Sequence, residues 1–368
     1  MIYLDNAATS GRKPIKVILS ALWEMLHPAN AGRGGHKASM RTAMKIERTR
    51  ECIRKRFFDG NVIFTKNCTE ALNLAIVGSR PKGQVIATVF DHNSVLRPLK
   101  RLEKEGKISL TILRPEQGGF EKPLERALQK ETSLVVMTAK SNVTGEKTDV
   151  EKLASIAKSK SNALFCADLA QSAGEDVFSY DNIDMIASAG HKGLYGLQGT
   201  GFLLCKKNVR LFPLITGGTG TSGLSLETPL DIPEGMEAGT VNAVGIISLY
   251  YGIEYVFENR ERIKVRSEQA AEFLRERLKK TDNVIVYPSY GNVVVCNVKG
   301  KDSATVADIL SDKYGICVRG GLHCAPLMHT YLGTANTGAI RFSFGKGNTL
   351  LDAVWAAKAM ERIARSEE

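Results

Sequence analysis

No apolar run in this chain approaches the roughly 20 residues needed to span a bilayer. The opening Met1-Ile2-Tyr3-Leu4-Asp5-Asn6 lacks the basic start and long apolar core of a signal peptide. A membrane-spanning or exported protein is therefore not expected, and the predicted compartment is the cytoplasm. The seven cysteines (52, 68, 166, 205, 296, 317 and 324) are an odd, scattered count with no C-x-x-C pair. That spacing supports neither a disulfide framework nor a zinc site, and no metal is expected. Repeats and low-complexity segments are lacking too.

What is present reads as an ordinary globular protein, 43% hydrophobic and 24% charged. Its 368 residues suit two or three domains, each with its own core. A net charge of +11 raises nucleic acid as a partner, but no nucleic-acid motif accompanies it. In the densest basic stretch, residues 37–58, Met40, Ala43, Met44, Ile46 and Ile53 recur near helical spacing. That pattern predicts an amphipathic helix with a solvated basic face rather than a nucleic-acid site. Cys166, Cys205 and Cys296 sit in apolar runs and read as small core residues.

Apolar runs at 85–90, 134–139, 163–168, 184–189 and 201–206 alternate with helical patterns at about 95–105 and 150–160. Such alternation predicts an α/β fold with a mostly parallel sheet. From 243 to 280 the texture becomes one long helical segment, followed by short apolar runs and two more helices. The expected division is a large α/β domain over 15–242 and a smaller α+β domain over 243–368, joined by residues 1–14.

Ligands in open α/β sheets sit beyond the carboxyl ends of the strands. There the successive runs deliver Asp91-His92, then Ser141-Asn142, then Asp168 through Gln171, then Gly190-His191-Lys192. Singly, each has a plain explanation as a turn or cap residue. Together they bring an imidazole, an amide, a carboxylate and an amine to one rim. A desolvated amine forms Schiff bases, and a carboxylate facing a pyridine nitrogen keeps that nitrogen protonated. An imidazole can cover the ring face. Thr65 through Thr69 form a polar turn before an Ala/Leu helix, a setting that suits a phosphate. Thr69 could cap that helix or donate to the phosphate. The implied cofactor is pyridoxal 5'-phosphate, anchored by Lys192.

The motifs YLDNAATS (3–10), NCTEALNLA (67–75), DHNSV (91–95), SNVTG (141–145), ADLAQS (167–172), SAGHKGLYGLQGTG (188–201), EAGTVN (237–242) and RGGLHCAPL (319–327) resemble the class V aminotransferase family. Within it, the chain is similar to the cysteine desulfurase and selenocysteine lyase group. The resemblance implies a fold type I architecture, a seven-stranded sheet and a homodimer with a shared active site. It implies that Lys192 anchors the cofactor covalently, Asp168 pairs with the pyridine nitrogen, and Gln171 approaches the ring hydroxyl. His92 would stack on the ring, and Asn142 would lie near the ring hydroxyl and the substrate carboxylate. Phosphate would be held by Thr69, the Cys68 backbone and His191, with Thr240 reaching across the dimer interface. Arg341 would hold the substrate carboxylate, and His36 would stand near the substrate mouth.

Cys324 decides the expected chemistry. It lies in a glycine-rich loop beside His323, which is expected to activate it. The implied reaction converts L-cysteine to L-alanine and leaves the sulfur on Cys324 as a persulfide, for passage to an acceptor protein. L-selenocysteine is the alternative substrate. A transaminase or epimerase in which Cys324 is idle is the alternative chemistry. Three departures from the family pattern stand out: Ala189 replaces a usual hydroxyl residue, the segment after Cys324 is one residue shorter, and Gly32 stands where a histidine commonly precedes the early RG.

Overall fold

The computed structural model describes residues 1–32, 34–176, 178–220 and 224–365. Strand β1 (Ile2–Tyr3) is followed by helices α1 (Ile15–Leu26) and α2 (Lys37–Arg56). Strand β2 (Asn61–Thr65) leads into α3 (Cys68–Asn73), and β3 (Gly83–Thr88) into α4 (Asn93–Lys104). Then come β4 (Ile108–Leu113), α5 (Glu121–Ala127), β5 (Thr132–Thr138), α6 (Val150–Lys160) and β6 (Leu164–Asp168). Strands β7 (Met185–Ala189) and β8 (Gly201–Cys205) complete the larger sheet.

That sheet has seven strands in the order β2-β8-β7-β6-β5-β3-β4. Only β8 runs against its neighbours, and the other pairings are parallel. Parallel strands are covered on both faces, which is why β6, β7 and β8 read as apolar runs without alternation. Apolar residues pack on the two faces as separate cores, one around Phe165, Ile186 and Phe202, the other around Val136, Cys166 and Leu203. Cys166, Cys205 and Cys296 are buried, as their apolar surroundings predict.

The segment from 243 forms one helix, α7 (Ala243–Lys279), started by the Asn242 side chain accepting from the Gly245 N–H. Its first half joins the large core through Ile246, Leu249 and Ile253. Its second half joins a third core through Ala271, Leu274 and Leu278. That core belongs to β9 (Val284–Val286), β10 (Val293–Val298), α8 (Ser303–Tyr314), β11 (Ile316–Cys317), β12 (Ile340–Ser343) and α10 (Leu350–Arg365), while α9 (Pro326–Tyr331) packs on the large core through Met328. Strand β1 pairs in parallel with β11, so the first residues lie with the last elements.

The basic helix α2 forms as the spacing predicts, but its buried face differs. Ser39, Thr42, Ile46, Thr49 and Ile53 turn inward, whereas Met40 and Met44 are exposed. Small hydroxyl residues satisfy themselves on the preceding turn, as Thr42 does with Ala38 O, and so pack closely. Ile15, Leu19, Leu22, Trp23 and Leu26 of α1 are also exposed. Among the described residues, no helix is long and apolar enough to cross a membrane.

Candidate active site

Lys192 stands just past the carboxyl end of β7, a strand buried at every position. The turn carrying it is pinned by Gly190 N–H donating to Thr200 O and Gly196 N–H donating to Gly190 O, at 2.9 and 2.7 Å. A side-chain carbon at Gly190 would come within 2.3 Å of Thr200 Oγ1, and one at Gly193 within 2.4 Å of Ala173 O. Both glycines flanking the turn are therefore required by close approach. Among the described residues the Lys192 amine makes no hydrogen bond or ion pair. Burial pushes its pKa down, against the opposing pull of Cys68 and Asp168, while Arg341 and Arg319 add to the lowering.

Asp168 ends β6 and is 3% exposed. One of its oxygens accepts from the Ala170 N–H at 2.9 Å and from the Cys68 thiol at 3.5 Å. The other has no partner among the described residues. Burial raises the Asp168 pKa, with Lys192 opposing. Cys68, also buried, keeps its proton, because burial and Asp168 together push its thiol far up. His92 caps α4, its Nδ1 accepting from the Ser94 N–H at 3.0 Å. That bond fixes the ring, and Nε2 has no hydrogen-bond partner among the described residues. Behind it Asp91 is fully buried, taking two bonds from Thr88 and one from the Thr138 N–H, and so ties β3 to β5 at the rim.

An N-terminal strap, residues 5–13, draws these parts together. Gln171 Nε2 donates to Ala7 O at 2.9 Å. The His191 carbonyl accepts from the Ser10 N–H and hydroxyl, from Thr9 and from Lys13. His191 Nδ1 lies 3.1 Å from Thr9 Oγ1. The Ala7 N–H donates to Ser343 Oγ at 2.9 Å, and Asp5 takes Arg341 Nη2 at 2.8 Å. Arg341 is 1% exposed, and its Nη1 donates to Asn142 O at 2.7 Å. Two buried atoms beside that contact lack partners, Arg341 Nε and Asn142 Oδ1. A buried donor next to a buried acceptor, both unpaired, is the pattern of a place kept for something polar. The strap was not legible as part of the site, although its motif was.

Cys324 is exposed, on the loop between β11 and α9. His323 and Cys324 both adopt left-handed backbone, with φ of 50° and 57°, which costs a residue with a side chain about 1 kcal/mol or more. Hydrogen bonds hold them there. Asn142 Nδ2 donates to His323 O and Asn93 N–H to Cys324 O, both at 2.8 Å. His323 does not serve the sulfur as expected. It is 3% exposed, its Nε2 lies 3.1 Å from Arg319 O and its Nδ1 lies 3.1 Å from His329 Nε2. His329 Nδ1 in turn meets the Thr334 hydroxyl at 2.8 Å. A carbonyl can only accept, so the protons run Thr334 to His329 to His323 to Arg319 O, with both imidazoles neutral. The cation facing the sulfur is Arg319, its Nη2 3.8 Å from Cys324 Sγ.

Thr69 does not cap its helix. Asn67 does, accepting from the Glu70 N–H at 2.9 Å, and the exposed Thr69 hydroxyl is left unbonded. Thr69, His92 and Cys324 line one cleft, while Lys192 and Gln171 line another. Thr240 stands apart in a cleft with Thr65, Lys66 and Asn242. Its segment is anchored by Glu237, which grips the Arg50 guanidinium with both oxygens. His36 caps α2, accepting from the Ser39 N–H at 3.3 Å, and has no contact with Lys192, Asp168, His92 or Cys324. No cluster that could hold a metal ion occurs among the described residues.

The buried imidazoles make a pH prediction. Burial holds His92, His191 and His329 down to about 4 and also pushes His323 well down. Unfolded imidazoles titrate near 6.5. Between those values the unfolded chain binds the extra protons, so stability falls as pH drops from about 6.5 toward 4. Asp91, raised to about 7 by burial, and Asp168, also raised, act in the opposite sense over that range. Four imidazoles outweigh two carboxyls. The urea midpoint is therefore expected to rise between pH 4.5 and 6.5, by on the order of 2 kcal/mol in unfolding free energy. A flat or falling midpoint would contradict this account.

A family model described as "Aminotransferase class-V" matches residues 2–353. A "Probable cysteine desulfurase" of Methanothermobacter thermautotrophicus is 33% identical over 388 aligned positions, 99% of this chain and 94% of the relative. A protein of the same description from Pyrococcus abyssi is 32% identical over 100% of this chain and 95% of its own length. The solved apo structure of a cysteine desulfurase from Thermococcus onnurineus NA1 superposes with a TM-score of 0.90. It is 30% identical, and the match covers 99% of this chain and 94% of that one.

Proposed function

The chain belongs to the class V aminotransferase family, and from that premise we propose that it is a pyridoxal-phosphate-dependent cysteine desulfurase using Cys324 as its sulfur carrier. The observation carrying this reading is an amine with no bonding partner among the described residues together with an exposed thiol. The charge of Lys192 reaches His92 and Asp168, and His92 lines the cleft into which Cys324 opens. The donor set left over by the protein's own bonding suits the cofactor. Lys192 offers an amine, Asp168 a free carboxylate oxygen, His92 a fixed flat ring, and Thr69 an unbonded hydroxyl at a helix start.

In this reading Lys192 anchors the cofactor, Asp168 pairs with its ring nitrogen and Gln171 approaches its ring hydroxyl. Thr69, the Cys68 N–H and His191 hold its phosphate. When bound, the cofactor supplies an electron sink for the substrate carbons. Arg341, steadied by Asp5 and Asn142 O, receives the substrate carboxylate, and its unpaired Nε is the donor free to do so. The lowered pKa of Lys192 favours the neutral amine, the form able to take a proton from the substrate α-carbon. Cys324 Sγ then bonds to the substrate sulfur, and the carbon–sulfur bond breaks with its electron pair left on carbon. That carbon gains a proton, giving alanine, and the transferred sulfur remains as a persulfide.

The shared homodimer is part of the proposal. Thr240 lies outside the Lys192 cluster of its own chain, as expected of a residue serving a partner's phosphate. The exposed apolar face of α1, with Met40 and Met44 nearby, is surface that a second copy would cover. A sulfur-acceptor protein and a cytoplasmic setting complete the reading, which involves no nucleic acid. The test is to incubate the pure protein with L-cysteine and, separately, L-selenocysteine at one pH, measuring alanine. Alanine with persulfide on Cys324 is expected from cysteine. Amino transfer to a keto acid without alanine release would replace this reading with a transaminase.

A further inference from the structure

Helix α4 carries Arg97, Lys100, Arg101 and Lys104 at i, i+3, i+4 and i+7, all exposed, over a buried underside of Val95, Leu96, Leu99 and Leu102. Helical geometry sets those four cations in one stripe about 10 Å long. A basic helix face is ordinarily only solvated surface. This one differs in what stands at its end. The first residue of α4 holds the Cys324 carbonyl, and Arg97 and Arg101 line the cleft into which Cys324 opens. Arg319 faces the sulfur from the other side. Local acids do not cancel the stripe. Glu103 pairs with Lys100, and Glu105 is shared between Arg101 and Lys107, while Arg97 and Lys104 have no carboxylate partner among the described residues.

We propose that the α4 stripe is a docking surface for an acidic, cysteine-bearing segment of the protein that takes sulfur from Cys324. This rests on the desulfurase reading above. The length of the stripe selects a peptide segment over a small anionic thiol, which would touch only one or two of the cations. The transfer itself is an exchange. The acceptor thiolate bonds to the outer sulfur of the persulfide, the sulfur–sulfur bond to Cys324 breaks, and its electron pair leaves on Cys324 Sγ. No outside oxidant or reductant is needed. The stripe contributes approach and orientation, which charge supplies most strongly at low ionic strength.

The experiment uses the full protein, loaded on Cys324 with L-cysteine and freed of excess. Synthetic peptides with a single cysteine and a Glu-rich, uncharged or Lys-rich sequence are then offered, and sulfur transfer is timed by mass spectrometry. At low salt the Glu-rich peptide is expected to react about tenfold faster than the uncharged one, and the Lys-rich peptide slower. That preference is expected to vanish at about 0.5 M salt and in the Lys100→Glu/Lys104→Glu variant. Alanine formation with an uncharged dithiol should be unchanged in that variant. Equal peptide rates, or a preference that survives the charge reversal, would overturn the proposal. So would an equal advantage for mercaptosuccinate, a small dianionic thiol. Failure to load sulfur on Cys324 at all would instead overturn the desulfurase reading beneath it, and this proposal with it.

Discussion

Replacing Cys324 with Ser is expected to lower alanine formation from L-cysteine by about 10³-fold or more, with folding and cofactor loading intact. The side chain is exposed and its hydrogen bond among the described residues is to Arg319, so the substitution leaves no buried cavity and should change stability by less than about 0.5 kcal/mol. The loss comes from chemistry alone. A serine hydroxyl stays protonated at neutral pH and has little tendency to bond to sulfur. The measurement is alanine released per minute, beside the visible absorbance of the bound cofactor. Unchanged alanine release in the variant would show that the sulfur leaves by another route, while sparing the cofactor assignment.

Lys192→Met is expected to cost about 10⁴-fold or more in turnover and to abolish covalent attachment of the cofactor. Its second effect separates the chemical role from a structural one. In the cofactor-free protein the amine is half-buried with no hydrogen-bond partner among the described residues, and desolvation lowers its pKa. A group with a lowered folded pKa destabilises the fold at every pH below its unfolded value near 10.4. Methionine has a similar length and no charge, so the cofactor-free variant should melt higher than the cofactor-free parent. A lower melting temperature would mean that Lys192 makes a structural bond incompatible with its proposed freedom.

The parts of this molecule legible in the sequence are those written locally. Strands β3, β5, β6 and β7 each announce themselves as an apolar run, and each ends on the polar residues that reach the rim. What could not be read are pairings across the fold. Nothing near residue 323 says that its imidazole will turn inward onto His329, because that bond depends on where α9 packs. The buried face of α2 was misjudged because periodicity shows two candidate faces. Close packing against α7 favours the hydroxyl residues, with Thr49 reaching Ile246 O, over the longer methionines. The strap at 5–13 escaped notice as site architecture because its partners, Gln171, His191, Arg341 and Ser343, are scattered over the length of the chain.

That strap also dictates an order of events. On the ribosome, residue 5 emerges well over three hundred codons before the Arg341 it will clasp. Until β12 has been made, a nascent chain can assemble the rim of the large sheet but lacks the arginine proposed to hold the substrate carboxylate. Completion of the rim is thereby tied to synthesis of the chain's last strand.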